Sequence, residues 1–486
     1  MSRNKRYETI VIGTGIGGLF AAALMAKRGI SILILKEKGY EPYLEKSGYR
    51  FVPFSNFTEK NLSKKLIELV FEELEISSSF SSIHLEESEK SKEVYYQVIL
   101  PENRIDVLNN KEIFETELKR EFKSEIKRIL KFYDEIGDFR TILRNIKSTE
   151  VPAEFFPLRK YNPLRNWFLN IFFKRKDVRK RLVSFSEEFR EFIKLQLISH
   201  GNLLSDQFSL LISTYILTRG VEGIDKSIDI ERLKSKIINK YLDSGGEIEE
   251  IEKIKNIERR FKERFLINLS EEDRVLESKF LILNCPFRNI LSFMKDEKGR
   301  IFKWKSLIRP YYVILPSFLG IQEKVVPVGM KDLIVSIFNP KRSYENGNLI
   351  YLSLSPKGNE EMAPRNKRAL VVEYLIPFKN LNSRQKNYKK DLMTHLNHII
   401  PFLEDYIDFI DFDWAEEQLS FWSYPHFIYG NAFNFDWRSG IIPNRFLKNL
   451  FFVGKENFPY LGLEGEIISG YITARQILNQ LQFSKS

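Results

Sequence analysis

The stretch YETIVIGTGIGGLFAAALMAKRGISILIL, which begins at Tyr7, restricts the folds open to this chain more than any other. A buried apolar run, Thr9 to Ile12, stops at Gly13. Gly13, Gly15 and Gly18 then form the pattern GxGxxG, with Thr14 inside the turn and Gly17 as an additional glycine. A segment rich in Ala and Leu follows from Ile16 to Lys27 and predicts a helix that Gly29 closes. Strand, tight turn, helix and a second strand make half of a parallel sheet. Gly13 permits the tight bend, Gly15 lets a diphosphate approach the backbone, and Gly18 lets the helix pack closely on the strand. The helix N-terminus then offers unpaired N–H groups and a positive dipole end to an anion.

Further pieces of the same kind lie elsewhere. Around residues 230–283 the pattern reads as helix, Gly-Gly turn and several strands, ending in the buried strand Phe280 to Leu283. The final segment NLFFVGKENFPYLGLEGEIISGYITARQILNQL reads as strand, glycine-bearing loop and helix. The predicted fold is α/β: a Rossmann-like dinucleotide-binding domain, a parallel sheet with helices on its faces, interrupted by a second α+β domain for substrate. The dinucleotide-binding parts are expected at 1–85, 205–300 and 421–486, and the substrate domain at 86–204 and 301–420.

Composition narrows the chemistry. Of 486 residues, 43% are hydrophobic and 29% charged, which suits a large globular core. The 40 Phe and 21 Tyr residues fit either a bulky core or an apolar cavity for a long hydrocarbon. Cys285 is the single cysteine, so a disulfide framework and a cysteine-based zinc cluster are excluded. It fits a reducing compartment, and with no secretory signal evident a cytoplasmic location is expected. Five histidines are too scattered to suggest a metal site; His395 and His398 read as a surface or core pair on a helix. The net charge of +11 concentrates between Arg159 and Arg181, where nine Lys and Arg residues are opposed by Asp177 alone and interleaved with aromatics such as Trp167, Phe168 and Phe172. Two readings stand: a peripheral segment against an anionic membrane, or a solvated helix that packs its aromatics inward. No nucleic-acid-binding module is recognised, and no nucleic-acid partner is expected.

VIGTGIGGLFAAALMAKRG, LDSGGEIEEIEKIKNI, SKFLILNCPFRNILSFM and NLFFVGKENFPYLGLEGEIISGYITARQIL occur in an order and spacing that resemble the flavin-dependent carotenoid (phytoene) desaturase and retinol saturase family, which is related to the amine oxidases. The resemblance implies an FAD/NAD(P)-type Rossmann fold and FAD as cofactor. It would place Gly13, Thr14, Gly15, Gly17 and Gly18 at the diphosphate, and Lys36 and Glu37 at the strand end where the family keeps its ribose-binding acid. The main chain of Ile254 would lie at the adenine. Gly454, Lys455, Leu463, Glu464, Gly465 and Ile467 would lie near the ribityl chain and flavin ring. It implies an oxidoreductase acting on CH–CH groups, which moves hydride between the flavin and a long apolar substrate, isoprenoid or lipid. The flavin carries that chemistry, in keeping with a sequence that offers no triad, metal cluster or paired carboxylates and names no catalytic side chain. Tyr424, His426 and Tyr429 are candidates to line the flavin-side cavity, or packing residues.

The sequence also departs from the family. Lys36 stands where the acid is usual, Val52 and Phe54 where Asp and Gly are usual, and Lys455 where Asp follows Gly454. An ammonium only donates hydrogen bonds, whereas the acid accepts them from ribose hydroxyls. A second reading therefore remains open: a flavin-free, non-catalytic relative that binds lipid or prenylated partners, as the Rab GDP-dissociation inhibitors do.

Overall fold

The computed structural model describes residues 5–53, 62, 64–77, 94–108, 110–145, 181–201, 213, 216–217, 230–260, 264–271, 274–287, 289, 293–294, 310–381, 388–422, 426–429, 445–458 and 461–483. Phe54, Tyr424 and all of the basic, aromatic run except Arg181 lie outside the described residues, as do the side chains of His426 and Tyr429.

Strand β1 (Lys5–Ile12) is the centre of the first sheet because it is apolar on both faces: Ile10, Val11 and Ile12 are fully buried. It pairs in parallel with β2 (Ile32–Glu37) on one side and with Val275–Leu283 on the other. Across the sheet the order runs Arg445–Leu447, Leu450–Phe452, Val275–Leu283, β1, β2, Glu247–Ile251. An antiparallel pair, Ile254–Arg259 and Phe265–Leu269, extends it beside Val275–Leu283. Helix α1 (Ile16–Ala26) connects β1 to β2, and all eleven of its residues are buried.

That complete burial follows from small residues. The helix is covered by the C-terminal helix Leu463–Phe483, and the two meet backbone to backbone. A Cβ added at Gly470 would stand 2.1 Å from the Gly17 carbonyl oxygen, and one added at Gly17 would stand 2.2 Å from that of Glu466. On the far side of the sheet edge, Tyr241 from helix Ile230–Asp243 is fully buried, and its hydroxyl lies 2.9 Å from the Ile32 carbonyl and 2.8 Å from that of Glu247. It thereby bridges the starts of two parallel strands. The same hydroxyl accepts from the Glu247 N–H.

The second sheet is mostly antiparallel, in the order Ile407–Asp411, Pro310–Gln322, Lys367–Pro377, Leu349–Leu354, Leu333–Ile337, Val94–Ile99, Arg104–Leu108. Strand His426–Tyr429 pairs with Pro310–Gln322. This strand, which follows the expected boundary at 421, takes its backbone partners from the second sheet. The hairpin Leu44–Lys46 and Tyr49–Phe51 packs against the second sheet. Gly320 leaves room for the Tyr49 ring, 2.4 Å from the place its Cβ would occupy, and Phe51 stacks on Phe318 at 5.1 Å. The amphipathic stretch from Lys111 divides into two helices, Lys111–Glu121 and Ile126–Asn145, because Phe122 turns inward onto Phe189 and Glu125 accepts from the Ser186 N–H.

The backbone contact between the two helices makes a direct prediction. Gly470→Ala forces them apart and costs about 1–3 kcal/mol of stability, the range for overpacking a close-packed interior. Urea unfolding followed by tryptophan fluorescence measures it, and a midpoint equal to that of the wild type contradicts the contact.

Candidate functional site

The carboxyl ends of three adjacent parallel strands come together at one edge of the first sheet. The Gly13 N–H donates to the Leu35 carbonyl at 2.9 Å, the Asn284 N–H to that of Ile12 at 2.8 Å, and the Val453 N–H to that of Leu283 at 3.0 Å. The loops after β1, Val275–Leu283 and Leu450–Phe452 thus lie side by side at the crevice where open α/β sheets bind ligands. Gly13 has φ +109°, a conformation that side chains disfavour, and a Cβ there would meet the Asn284 carbonyl oxygen at 2.1 Å. Gly15 is the N-cap of α1 and brings no side-chain acceptor to the helix N-terminus.

That acceptor comes from the far end of the chain. Glu466, in the first turn of the C-terminal helix, presents Oε1 to α1, where it accepts from the Gly17 N–H at 3.2 Å and from Asn284 Nδ2 at 3.2 Å. Two donors and the positive end of a helix therefore converge on one anionic oxygen. The same oxygen lies 2.2 Å from where a Gly15 Cβ would be, and both amide atoms of Asn284 lie within 2.8 Å of that point. Asn284 Nδ2 also donates to the Val453 carbonyl at 2.8 Å, while its Oδ1 is buried without a hydrogen-bond partner and faces Gly15 and Gly18. Asn284 and Glu466 are both more than nine-tenths buried. The main chain here fits a diphosphate: strained glycine turn, absent Cβ, free-facing helix end. A carboxylate of this chain stands in that seat.

The other expected site residues distribute as follows. Thr14 lies in the turn between Gly13 and Gly15, and Gly18 packs against the Asn284 side chain. Lys36 sits opposite Glu250 in the β2 pairing, and its Nζ is 2.6 Å from Glu250 Oε1 on the exposed face. It holds the Glu250 carboxyl below the usual range. Glu37, the last residue of β2, is buried, and its Oε1 accepts from the Trp422 N–H at 2.9 Å. The acid one place late in the sequence is therefore the inward one, and it ties β2 to the segment leading into strand His426–Tyr429. Ile254 begins a buried strand position two residues past Glu252. Gly454 donates its N–H to Asn457 Oδ1 at 2.8 Å, and Glu456 is buried and accepts from the Phe287 N–H at 2.6 Å. Leu463, Glu464, Gly465 and Ile467 all lie buried in the first turns of the last helix. Gly465 is required there, since a Cβ would stand 2.7 Å from the Phe458 carbonyl oxygen.

Asn284 and Glu466 escaped the sequence reading. Asn284 carried a signal, as the first polar residue after the buried run FLIL. Glu466 carried a weaker one, an acid directly before IIS in a buried helix. Two other groups are removed from the chemistry. Burial pushes the Cys285 thiol up and leaves it inert. His395 is a core residue between Ser336 Oγ at 2.9 Å and the Gly347 carbonyl at 2.8 Å, and burial lowers its pKa to about 4. Among the described residues no group of three His, Cys, Asp or Glu is placed to hold a metal ion.

Lys455 has the most useful electrostatics. Desolvation lowers its pKa from 10.5 to about 8, and the nearby Glu466 carboxylate opposes that fall. Between pH 8 and 10.5 the unfolded chain holds this proton while the folded chain has released it, so folded-state stability rises with pH across that window. Below pH 8 the penalty for burying the cation is fully present. The stability difference between wild type and Lys455→Met should therefore climb between those two pH values, by at most about 3 kcal/mol. A pH-independent difference in urea unfolding contradicts the desolvation of this ammonium.

No family model matches the chain. Prolycopene isomerase, chloroplastic, of Daucus carota is 23% identical over 433 residues, covering 83% of this chain and 67% of that protein. The Arabidopsis thaliana protein of the same description is 23% identical over 344 residues, which are 66% of this chain and 55% of that one. Among solved structures, wild-type putrescine oxidase bound to putrescine superimposes with a TM-score of 0.63 at 13% identity, covering 98% of this chain and 100% of that one. A Rab GDI from Plasmodium falciparum superimposes with a TM-score of 0.54 at 10% identity, covering 97% and 98%. These structures share the fold across nearly the whole chain.

Proposed function

We propose that this chain, a divergent member of the amine oxidase superfamily, binds FAD at the crevice beside α1 and acts as an oxidoreductase-type flavoprotein on a long apolar substrate of the isoprenoid or lipid class. The observation that carries this reading is the pair of donors, Gly17 N–H and Asn284 Nδ2, aimed at one anionic oxygen at the end of a helix whose N-cap is glycine. A phosphate oxygen placed there would receive the same two hydrogen bonds. Gly13 and Gly15 give the diphosphate its close approach. Leu463, Glu464, Gly465 and Ile467 would border the flavin end, with Ile254 at the adenine end. A bound flavin would supply the hydride-transfer chemistry. The chain's own contribution is to position it and keep water out, through buried apolar residues at the start of the last helix.

The substrate class rests on the similarity to the prolycopene isomerases of carrot and Arabidopsis. The basic, aromatic run from Arg159 to Arg181 supports a meeting with that substrate at an anionic membrane surface. No helix among the described residues is long and apolar enough to cross a membrane.

One observation favours a second reading. The diphosphate seat is filled by a carboxylate of the chain itself, as suits a relative that keeps the fold without flavin, and the Rab GDI shares that fold. Two experiments separate these readings. Isothermal titration with FAD should show binding to the wild type and at least tenfold weaker binding to Gly15→Ala, whose new methyl enters the space left for the diphosphate. Protein that takes up no FAD removes the first reading. Flavin-loaded protein incubated with prolycopene in lipid vesicles should change the polyene's geometry or saturation, read by chromatography; an unchanged polyene in both flavin redox states contradicts the substrate class.

A further inference from the structure

The Glu466 carboxylate occupies the place where a phosphate oxygen would bind, and it does so with the partners a phosphate would use. Its Oε1 accepts from the Gly17 N–H and from Asn284 Nδ2, each at 3.2 Å. The adjacent Asn284 Oδ1 is buried, has no hydrogen-bond partner and faces the same glycines. The rest of the seat is rigid. Gly15, Gly17 and Gly18 leave no space for a side chain, and the Glu466 backbone is pinned where the two helices touch. The Glu466 side chain can leave, because its carboxylate reaches the seat through rotatable bonds. Its neighbour Lys455 is a cation within electrostatic reach.

We propose that Glu466 is a built-in competitor for the diphosphate seat, a carboxylate that caps α1 in the free protein and must leave before a nucleotide phosphate can enter. This rests on the FAD reading above. Lys455 offers the displaced carboxylate a second partner, so Glu466 and the Lys455 departure from the family pattern work as one unit. The consequence is a cofactor site of reduced affinity, loaded only at high nucleotide concentration. Two anions cannot share one pair of donors, and the resident one is covalently tethered, so it competes at a high effective concentration.

The test is isothermal titration of the full chain with FAD and, separately, with ADP, for wild type, Glu466→Ala and Glu466→Gln. Thermal unfolding of each variant checks that it folds. Glu466→Ala should bind both ligands at least tenfold more tightly than wild type, and Glu466→Gln severalfold more tightly, because it keeps the shape and removes the charge. Lys455→Met should weaken FAD binding in the wild-type background and have no effect once Glu466 is Ala. A merely structural cap predicts no such dependence. Equal FAD affinity in all three proteins overturns the competitor and leaves the cofactor reading intact. Absence of FAD and ADP binding in all three overturns both. Should Glu466→Ala fail to fold, the comparison of Glu466→Gln with wild type decides: tighter binding supports the competitor, and equal binding overturns it.

Discussion

Gly17 and Gly470 touch through their backbones, and the arrangement of this molecule follows from that contact. A Cβ at either position would run into a carbonyl of the opposing helix. The close approach lets the last helix of the chain lie along the first, so that residues from its first turn reach the turn after β1. It also explains why α1 is buried along its whole length, with Ala21, Ala22 and Ala23 fully covered. A larger residue at Gly17 would widen the gap between the helices and carry Glu466 away from the α1 N-terminus. The packing constraint and the chemistry of the crevice therefore share one cause.

The electrostatics of the crevice are less cationic than its lysines suggest. Lys36 pairs across the sheet with Glu250, and Lys455 lies beside Glu466. Glu37, Glu456 and Glu466 are all buried near the carboxyl ends of the central strands, and each accepts from a main-chain N–H: Trp422, Phe287 and Gly17 respectively. Buried carboxylates are tolerated because backbone donors replace their water. The same arrangement stitches four distant segments into one site. A ligand carrying phosphates would enter a region whose donors already have acceptors, so its binding would be an exchange of anions and not the filling of an empty cradle.

Much of this was legible in the sequence. The β1–α1–β2 unit could be read because its determinants are local: glycine spacing, an alanine-rich helix and apolar strands within a few dozen residues. The buried strand from Phe280 to Leu283 was legible for the same reason, as a continuous apolar run. The site itself was only half legible. Glu464, Gly465 and Ile467 were expected at the ligand, but a helix turns by about 100° per residue, and the face that meets Gly17 is the one carrying Glu466. Which face that is depends on a contact between residues 449 positions apart in the chain. Asn284 joins Glu466 across 182 positions. Lys36 was expected at the cofactor because its partner, Glu250, is revealed only by the parallel register of β2 and Glu247–Ile251. Strand His426–Tyr429 pairs with Pro310–Gln322, and nothing local in its sequence says whose edge it completes.

The central claim is that the amide at the second residue of α1 is an anion seat that Glu466 and a nucleotide phosphate hold in turn. A crystal structure of the chain with ADP tests it most directly. The account predicts a phosphate oxygen within hydrogen-bond distance of the Gly17 nitrogen and of Asn284 Nδ2, with the Glu466 carboxylate swung off toward Lys455. ADP bound elsewhere, with Glu466 still on the Gly17 nitrogen, would contradict it.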